Sequence, residues 1–551
     1  MYCDKTNVNI LTALLAAHGV RHAVVCPGSR NAPIVHNLCE CPVISCHAVT
    51  DERSAGFYAL GICQATGEPV AVCVTSGTAL LNLSPAVAEA QYQHLPLIAI
   101  SADRPRQWTG QLTGQTMPQA GVLDTFVKRS TDLPEPNGDE ERWYCNRIVN
   151  EVLTAAMQGC RGPVHINVPI SEPLYTFTTR QLPAERVIRL QSALSEDSTT
   201  APDPSLTAPM LQELACARRP LIVVGQMKPG SIADTDIRRL ADNRYVVMHE
   251  ALSGNGGASA MEEMLAMGER EGCPPPDFIL YLGDTLVSKR AKQYLRRATA
   301  AAVWSANADG GIHDPFMNLH GVIQARPGDV LAAINGKGPT EWFYCWEKLR
   351  TRAVAHREAF APQYSNMLAV KMLHRQLEKR HDSCVIQYAN STAVRLGCLY
   401  ARSHVFCNRG INGIEGSLST AAGYSLATAE TVFCVIGDLS FFYDQNALWN
   451  RNIQGNLRIL LLNNGGGEIF AKFGGLRKSN ARDIVMGSHH TTAEGICQEN
   501  NIGYLSAHNR GELQRNMELL TDSSTARPMV LEVFTDTEED MRIYQEYFNT
   551  L

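Results

Sequence analysis

Val432–Ser440 reads VFCVIGDLS, and Leu457–Gly466 reads LRILLLNNGG. In each segment an apolar run typical of a buried strand leads directly into small and polar residues. Parallel strands bring their carboxyl ends to one edge of a sheet, which is where α/β proteins bind ligands. The two segments therefore predict strands of a parallel sheet, with Asp438 and Asn464 at its carboxyl edge.

The polar groups at these two turns match the ligands that Mg²⁺ prefers. Asp438 offers a carboxylate oxygen, Asn464 an amide oxygen and Gly466 a backbone carbonyl oxygen. Mg²⁺ keeps few protein ligands and completes its octahedron with phosphate oxygens and water. Glycines let the backbone approach a diphosphate, and the N-terminus of a following helix favours anions. The alternative is that both segments are ordinary turns of an α/β protein.

The same rhythm of strand, loop and helix recurs along the rest of the chain, which predicts an α/β fold of mainly parallel, doubly wound sheets. Further strands are expected at Ala23–Cys26, Ile44–Val49, Ala71–Val74, Pro96–Ser101, Pro163–Val168, Pro220–Gly225, Phe278–Gly283, Ala301–Ser305, Cys384–Tyr388 and Met529–Phe534. Ala71–Thr78 (AVCVTSGT) is similar to Val432–Ser440, which indicates two similar domains flanking a third.

The predicted domains are residues 1–182, 210–345 and 346–551, with a linker at 183–209. Within that linker, Leu194–Pro209 is rich in Ser, Thr, Asp, Pro and Ala and shows no periodicity. The middle domain carries no GxGxxG motif, so a scaffold is favoured over a dinucleotide site.

Composition excludes several classes of function. Of the 551 residues, 45% are apolar and 19% charged, and the net charge of −6 is typical of a globular protein without a nucleic-acid or anionic-membrane partner. No apolar run approaches the length needed to span a bilayer, and the first ten residues show no signal-peptide pattern. The 17 cysteines include no CxxC pair, which favours reduced thiols and a cytoplasmic location.

Gly437-Asp438 followed by Asn463-Asn464 resembles the metal–diphosphate motif of thiamine-diphosphate enzymes. Most of these enzymes carry Gly where this chain has Leu439. That departure is expected in one branch, the SEPHCHC synthase family of menaquinone biosynthesis. Segments that resemble this branch are Pro27–Asn31 (PGSRN), Asp51–Arg53 (DER), Thr75–Thr78 (TSGT), Ala102–Pro105 (ADRP), Asn390–Arg395 (NSTAVR), Asn408–Gly410 (NRG) and Asn463–Phe470 (NNGGGEIF).

The resemblance implies a pyrimidine-binding, a central and a diphosphate-binding domain, with thiamine diphosphate and Mg²⁺ (or Mn²⁺) as cofactors. It also implies at least a homodimer, or a homotetramer, because in this family the pyrimidine and diphosphate sites come from different subunits. The metal ligands would be Asp438, Asn464 and Gly466. The implied cofactor-binding residues are Glu52, Ser76, Gly77, Gly410, Ile414, Asp438, Leu439, Ser440, Asn464, Gly466 and Ile469.

Glu52 is the implied catalytic residue. By itself, a Glu between Asp51 and Arg53 would be interpreted as a solvated salt-bridge residue. The family places a Glu here against the pyrimidine of the cofactor, where a hydrogen bond to a ring nitrogen makes the cofactor's amino group more acidic. The resulting imino form can take the proton from the thiazolium carbon.

Basic residues lie in several of the matching segments, and singly each would be interpreted as a surface charge. The resemblance makes them binders of substrate carboxylates, for which guanidinium groups suit two oxygens at once. Arg395 lies four residues after Ser391, so a helix would put both on one face. The implied substrate-binding residues are Ser29, Arg30, Arg104, Gln115, Lys289, Arg290, Ser391, Arg395, Arg409, Phe470 and Phe473.

The implied reaction decarboxylates 2-oxoglutarate and adds the remaining carbon skeleton to isochorismate. One alternative is another thiamine-diphosphate enzyme, such as a 2-oxo acid decarboxylase or an acetohydroxyacid synthase, whose monocarboxylate substrates would not need so many cationic side chains. Another is a non-catalytic α/β protein that binds nucleotides or anions. His489-His490 lie in a predicted loop, Gly487–Thr492, and receive no role.

Overall fold

Three parallel sheets flanked by helices make up the computed structural model, which describes residues 1–190, 203–254, 260–467 and 474–551. Every strand pair in these sheets is parallel. The predicted fold class is therefore confirmed. No helix in the described ranges is both long and apolar enough to cross a membrane.

The first sheet and its helices come from the first third of the chain. Its strands are β1 (His22–Val25), β2 (Ser45–Ala48), β3 (Val70–Val74), β4 (Leu97–Asp103), β5 (Arg129–Asp132) and β6 (Val164–Pro169). Its helices are α1 (Thr6–Ala17), α2 (Ala32–Glu40), α3 (Glu52–Thr66), α4 (Thr78–Asn82), α5 (Ser84–Tyr92) and α6 (Asp139–Met157), with a 3₁₀ turn at Arg106–Trp108. The strand order is β2-β1-β3-β4-β6-β5.

The central sheet has the order β11-β10-β9-β7-β8. Its strands are β7 (Pro220–Val224), β8 (Val246–His249), β9 (Phe278–Leu282), β10 (Ala302–Asn307) and β11 (Leu319–Gln324). The helices of this part of the chain are α7 (Pro204–Cys216), α8 (Asp234–Asp242), α9 (Met261–Arg270), α10 (Lys289–Arg297), α11 (Pro327–Ala333) and α12 (Thr340–Ala359).

The third sheet repeats the topology of the first. Its strands are β12 (Cys384–Tyr388), β13 (Phe406–Cys407), β14 (Thr431–Gly437), β15 (Leu457–Asn463), β16 (Gly503–Ala507) and β17 (Met529–Phe534). Its helices are α13 (Asn366–Leu377), α14 (Thr392–Tyr400), α15 (Ser417–Leu426), α16 (Asp438–Tyr443), α17 (Gly474–Arg477), α18 (Arg482–Met486), α19 (Glu494–Glu499), α20 (Arg510–Leu520) and α21 (Thr537–Asn549), with a 3₁₀ turn at Gln445–Leu448. The order β13-β12-β14-β15-β17-β16 has the same sequence of crossovers as the first sheet.

Two of the predicted domain limits fall inside helices. Helix α7 begins at Pro204, within the predicted linker 183–209, because the Asp203 side chain caps it by accepting from the Ser205 N–H. Helix α12 runs through the predicted limit between residues 345 and 346. Residues 191–202 of the linker lie outside the described residues, and the division into these domains stays a prediction.

Three of the four central strands in the first and third sheets are buried along their whole length, and β14 is buried except at its two ends. Every residue of β3, β4 and β15 is buried. Helices cover both faces of such sheets, so their strands are near-continuous apolar runs. This is why the apolar segments before Thr75 and Asn463 were recognisable as strands.

Helices α3 and α15 join the first and third sheets through glycine contacts. A Cβ added at Gly61 would lie 2.0 Å from the carbonyl oxygen of Thr420, and one added at Gly423 would lie 2.1 Å from the carbonyl oxygen of Tyr58. The two helices therefore touch backbone to backbone, which only glycine allows at these positions. Residues 54–63 of α3 are all buried.

Replacing Gly61 with Ala should destabilise the protein, because the added methyl group meets backbone that cannot rotate away. Overpacking of this kind costs about 1–3 kcal/mol. We expect a lower melting temperature by differential scanning calorimetry. Gly495→Ala in α19 is the matched control, since nothing lies within 4 Å of its added Cβ. Equal melting temperatures for Gly61→Ala and the unchanged protein would contradict the backbone contact between α3 and α15.

Candidate active site

The three predicted metal ligands lie just after the carboxyl ends of β14 and β15. Asp438 is buried, and its Oδ2 accepts a hydrogen bond from the Gly466 N–H at 2.9 Å. Its Oδ1 accepts from the Leu439 N–H at 2.6 Å. Gly465 and Gly466 have φ values of 77° and 155°, which L side chains rarely adopt. The structure thus brings Asp438 to the turn that carries Asn464 and Gly466.

Asn464 is oriented by the last helix. Its side-chain Nδ2 donates to Asp540 Oδ2 at 3.3 Å, and its backbone carbonyl oxygen accepts from Thr537 Oγ1 at 3.0 Å. Burial raises the pKa of Asp540 to about 6, against which hydrogen bonds from Thr535 and Asn464 act. The amide is therefore held by contacts that sequence spacing does not show.

His489 lies beside the Asp438 carboxylate, with its Nε2 3.4 Å from Asp438 Oδ2. Two backbone hydrogen bonds hold this loop against the glycine turn, from Gly467 N–H to the Met486 oxygen at 2.7 Å and from His489 N–H to the Gly465 oxygen at 3.0 Å. The predicted loop is therefore confirmed. Its contact with Asp438 was not foreseen.

The oxygen groups at this turn fit a hard divalent cation. Burial raises the pKa of Asp438, opposed by backbone N–H groups and by His489, so a bound cation would stabilise the charged carboxylate. Within the described ranges no three His, Cys, Asp or Glu side chains cluster as a metal site. A metal here would need the mixed set of carboxylate, amide and backbone oxygens.

The loop that carries Gly410 and Ile414 is tied to two other elements. The Ser440 hydroxyl donates to the Ile414 carbonyl oxygen. The buried Glu89 carboxylate, on α5, accepts the N–H groups of Gly410 and Ile411, each at 2.7 Å. Burial raises the pKa of Glu89. The Ile414 side chain remains 42% exposed, so it is accessible to a ligand.

Glu52 is the first residue of α3, directly after the capping residue Asp51. Its Oε2 accepts from Asn82 Nδ2 at 3.3 Å. Within the described part of one chain, no hydrogen bond or ion pair links Glu52 to the residues around Asp438. The neighbours of Glu52 do reach that region, since Arg53 donates to the Tyr443 oxygen at 2.7 Å and Asp51 Oδ2 accepts from Asn446 at 2.7 Å.

The Ser76–Gly77 turn follows β3. Ser76 is buried, and Gly77, at φ 82°, donates its N–H to Gln119 Oε1 at 2.7 Å. A Cβ added at Gly77 would lie 3.3 Å from the Cα of Gln115. The predicted Gln115 therefore lies directly against the predicted cofactor turn, and Gln119 is a contact that sequence analysis missed.

Arg30 and Arg104 converge on one carboxylate at the edge of the first sheet. Arg30 is buried and donates to the Ile170 oxygen at 2.9 Å and to Glu172 Oε1 at 3.1 Å. Arg104 Nη1 lies 3.8 Å from the same Glu172 oxygen. Ser29, next to Arg30, is exposed. An exposed carboxylate such as Glu172 is one that a ligand carboxylate could replace.

A second group of cations lies between the central and third sheets. Arg409 is buried, and donates to Asn390 Oδ1 at 3.1 Å and to the Leu286 oxygen at 3.4 Å. The Nε atoms of Arg395 and Arg409 are buried without a hydrogen-bond partner among the described residues. Buried donors of this kind are expected to find a partner, which a ligand carboxylate would supply.

Ser391 and Lys289 border this group, and Arg290 is engaged elsewhere. Ser391 precedes α14 at φ 69°, a conformation that is strained for a residue with a side chain. Lys289 is exposed at the start of α10. Arg290 donates to Glu269 Oε2 at 2.6 Å and lies 3.4 Å from Glu262 Oε1. Within one chain, then, the segment with Lys289 and Arg290 lies near Arg409.

Sequence analysis missed two further residues of this second group. Lys292 lies one helical turn after Lys289 and donates to Thr285 Oγ1 at 3.2 Å. Its helical spacing from Lys289 was a usable signal. Glu250 contacts the same segment, and no local pattern marked it.

The predicted Ile469, Phe470 and Phe473 lie outside the described residues.

Comparison with known proteins gives concordant results over the whole chain. The model of the "Thiamine pyrophosphate enzyme, N-terminal TPP binding domain" matches residues 5–125. A protein of Bacteroides thetaiotaomicron named 2-succinyl-5-enolpyruvyl-6-hydroxy-3-cyclohexene-1-carboxylate synthase is 42% identical over 100% of both chains. Proteins of the same name are 35% identical in Desulfotalea psychrophila, over 97% of this chain and 98% of the relative, and 33% identical in Flavobacterium johnsoniae, over 98% and 97%.

These identities extend over all three sheets and over both halves of the site, so the similarity is not confined to the cofactor-binding domain. Thiamine pyrophosphate and thiamine diphosphate are two names for one compound. The chain belongs to the family of 2-succinyl-5-enolpyruvyl-6-hydroxy-3-cyclohexene-1-carboxylate (SEPHCHC) synthases, which are thiamine-diphosphate enzymes.

Proposed function

We propose that this protein decarboxylates 2-oxoglutarate and adds the remaining skeleton to isochorismate, forming SEPHCHC for menaquinone biosynthesis. The observation that carries the proposal is 42% identity over the full length of a relative named for that product. The bond between the carboxylate and the oxo carbon of 2-oxoglutarate breaks and CO₂ leaves. The former oxo carbon then bonds to the ring alkene of isochorismate, and a proton completes the addition, so no oxidant is needed.

Asp438, Asn464 and the Gly466 carbonyl would hold Mg²⁺, or Mn²⁺, against the cofactor diphosphate. This is supported by the 2.9 Å contact between Asp438 and Gly466 and by the burial of the carboxylate. Contacts to the rest of the cofactor are proposed for Ser76, Gly77, Gly410, Ile414, Leu439, Ser440 and Ile469. When bound, the cofactor supplies a carbon nucleophile and stabilises the negative charge left by loss of CO₂.

Glu52 would donate or accept a proton at the pyrimidine ring nitrogen of the cofactor. In one chain its only hydrogen bond within the described ranges is to Asn82, which supports a site completed by a second subunit. Exposed apolar side chains near the motif loops also support a homodimer or a larger assembly. They are Leu81, Tyr92, Ile411, Ile414 and Tyr443.

The two groups of cations would bind the carboxylates that survive the reaction. We assign Arg395, Arg409 and Ser391 to the side-chain carboxylate of 2-oxoglutarate, supported by the buried, unpartnered Nε atoms. Isochorismate would be bound by Ser29, Arg30, Arg104, Gln115, Lys289 and Arg290, with Phe470 and Phe473 as an apolar wall. A cytoplasmic location is proposed as well, supported by 17 cysteines that are all free thiols.

One assay distinguishes this function from other thiamine-diphosphate reactions. Purified protein with cofactor and Mg²⁺ would receive 2-oxoglutarate, with and without isochorismate, and CO₂ and products would be measured. We expect rapid CO₂ release and SEPHCHC only when both substrates are present. Turnover of pyruvate instead would indicate a monocarboxylate enzyme, and a cofactor-bound protein without CO₂ release would indicate a binding protein.

Glu52→Gln should fold and bind the cofactor but lose most turnover, because an amide cannot exchange a proton with the pyrimidine nitrogen. General acid–base groups contribute roughly 10²- to 10⁴-fold. CO₂ release under saturating substrate measures the loss. Glu68→Gln, an exposed Glu just beyond the same helix, is the control. Near-normal turnover of Glu52→Gln would refute the assignment.

Asp438→Ala should abolish Mg²⁺-dependent cofactor binding, because the diphosphate would face the site without its bridging cation. Asp438→Asn removes the charge and one of the two acceptor oxygens, while its amide oxygen can still accept the Gly466 N–H. Calorimetric titration with thiamine diphosphate, with and without Mg²⁺, measures both variants. Asp522→Ala, at an exposed turn, is the control. A metal-dependent affinity unchanged in both Asp438 variants would exclude it as a ligand.

Arg395→Ala should raise the KM for 2-oxoglutarate, because a charged hydrogen bond is worth roughly 1.5–3 kcal/mol, or roughly ten- to a hundredfold in binding. Cofactor affinity should be unchanged and the KM for isochorismate less affected. Steady-state kinetics with each substrate varied measure this. Arg402→Ala, just beyond α14 and paired with Glu358 and Glu378, is the control. An equal rise in KM for both substrates would refute the assignment of Arg395 to 2-oxoglutarate.

A further inference from the structure

Glu250 is a buried carboxylate that binds two consecutive backbone N–H groups. It follows β8 directly and is 4% exposed. Its Oε2 accepts the Val287 N–H at 2.6 Å, and its Oε1 accepts the Ser288 N–H at 2.7 Å. Both carboxylate oxygens are thus committed to one short segment of backbone.

The backbone that Glu250 holds is the entry to α10. Ser288 caps that helix through its Oγ, which accepts the Ala291 N–H at 2.9 Å, and Lys289 is the first helical residue. The preceding Leu286 offers its carbonyl oxygen to Arg409 at 3.4 Å. The segment Leu286–Ser288 is therefore fixed by Glu250 through its N–H groups and by Arg409 through a carbonyl.

The opposite end of this network reaches the third sheet. Arg409 donates to Asn390 Oδ1 at 3.1 Å, and Asn390 Nδ2 donates to the oxygens of Asn408 and Gly413 at 2.6 and 2.7 Å. Continuous polar contacts therefore run from the central domain to the loop with the proposed cofactor residues. A displacement of the α10 entry would shift Arg409 as well.

Glu250 is also the buried negative charge among several cations. A small cavity of about 30 Å³ is lined by Glu250, Ser288 and Arg395. Burial lowers the pKa of Lys292, on α10; the charges of Arg409 and Arg395 lower it further, and the charge of Glu250 raises it. Without this carboxylate the cations would repel one another at short range, in surroundings that screen charge poorly.

We propose that Glu250 is a positioning residue of the substrate site, whose carboxylate sets the entry of α10, and so Lys289 and Lys292, relative to Arg409 and Arg395. The inference rests on the proposed function, because it takes these cations to bind substrate carboxylates. It adds two residues, Glu250 and Lys292, to those that the family motifs indicate. Lys292, one helical turn after Lys289, acts as a further cation facing 2-oxoglutarate.

The proposal predicts a pH dependence of substrate binding. Burial raises the pKa of Glu250 to about 7, and hydrogen bonds from Val287 and Ser288 oppose the rise. Below that pH the carboxyl gains a proton, so both N–H partners lose a charged acceptor and one of them faces a hydroxyl group. The KM for 2-oxoglutarate should therefore rise as the pH falls through about 7, where the substrate keeps both its charges. The ionisable groups that face Glu250 are His249, Glu262, Tyr281, Lys292, Arg395, Cys398 and Arg409.

Glu250→Gln tests the role directly, because it keeps the shape of the side chain and removes its charge. We expect the KM for 2-oxoglutarate to rise about tenfold at pH 8, with a smaller change in kcat and unchanged cofactor affinity. The rise in KM at lower pH should be absent in this variant. Glu250→Asp, which restores the charge with a shorter reach, should recover part of the loss.

The matched control is Glu263→Gln on the neighbouring helix α9. Glu263 is a buried carboxylate of the same domain, but it binds Arg357 at 2.7 Å and Tyr547 at 2.8 Å rather than the α10 entry. Its loss should lower the melting temperature and leave the KM for 2-oxoglutarate and its pH profile unchanged. A KM rise in Glu263→Gln equal to that in Glu250→Gln would overturn the proposal.

Hydrogen–deuterium exchange supplies a readout that does not depend on turnover. The amides of Val287 and Ser288 should exchange faster in Glu250→Gln than in the unchanged protein, and not in Glu263→Gln. Unchanged exchange there, or an unchanged KM and pH profile, would refute the positioning role. Failure of the unchanged protein to form SEPHCHC would refute the proposed function instead, while the exchange result would still decide what Glu250 holds.

Discussion

The backbone contact between α3 and α15 is the constraint on which the arrangement of the site depends. Gly61 and Gly423 carry no side chain, so the helices approach until added methyl groups would lie 2.0 and 2.1 Å from backbone oxygens. Helix α3 begins with Glu52, and α15 follows the loop with Gly410 and Ile414. One contact thus fixes the position of Glu52 relative to the loop with Gly410 and Ile414 of the same chain.

Elsewhere in the chain, three buried carboxylates each hold a loop by accepting hydrogen bonds from two backbone N–H groups. Glu89 reaches from the first domain to Gly410 and Ile411, Glu250 holds the entry to α10, and Asp438 joins the ends of β14 and β15. Burial alone disfavours the charged form of each, which is why their pKa values are raised. Two or more fixed donors offset that cost and give each loop a single position.

The fold could be predicted from the sequence because its strands are apolar runs that end in small and polar residues. The contact of Asp438 with Gly466 followed from the common edge of parallel strands. Glu89, Glu250 and Glu172 could not be found in this way. Each acts on residues far along the chain, and a single Glu within a helix or turn carries no local pattern. Helix α7 was missed at its start because a segment rich in Ser and Pro looked like a linker, although Asp203 and Pro204 are a helix-start signal.

The pairing of α3 with α15 also has a consequence for synthesis on the ribosome. Helix α3 ends at Thr66 and α15 begins at Ser417, so their contact joins distant parts of the chain. Synthesis proceeds at roughly 5–20 residues per second, and the first sheet is complete long before its partner helix emerges. Until then the face of α3 that carries Gly61 lacks the helix against which it packs. We therefore expect the nascent chain to need shielding from aggregation for much of its translation.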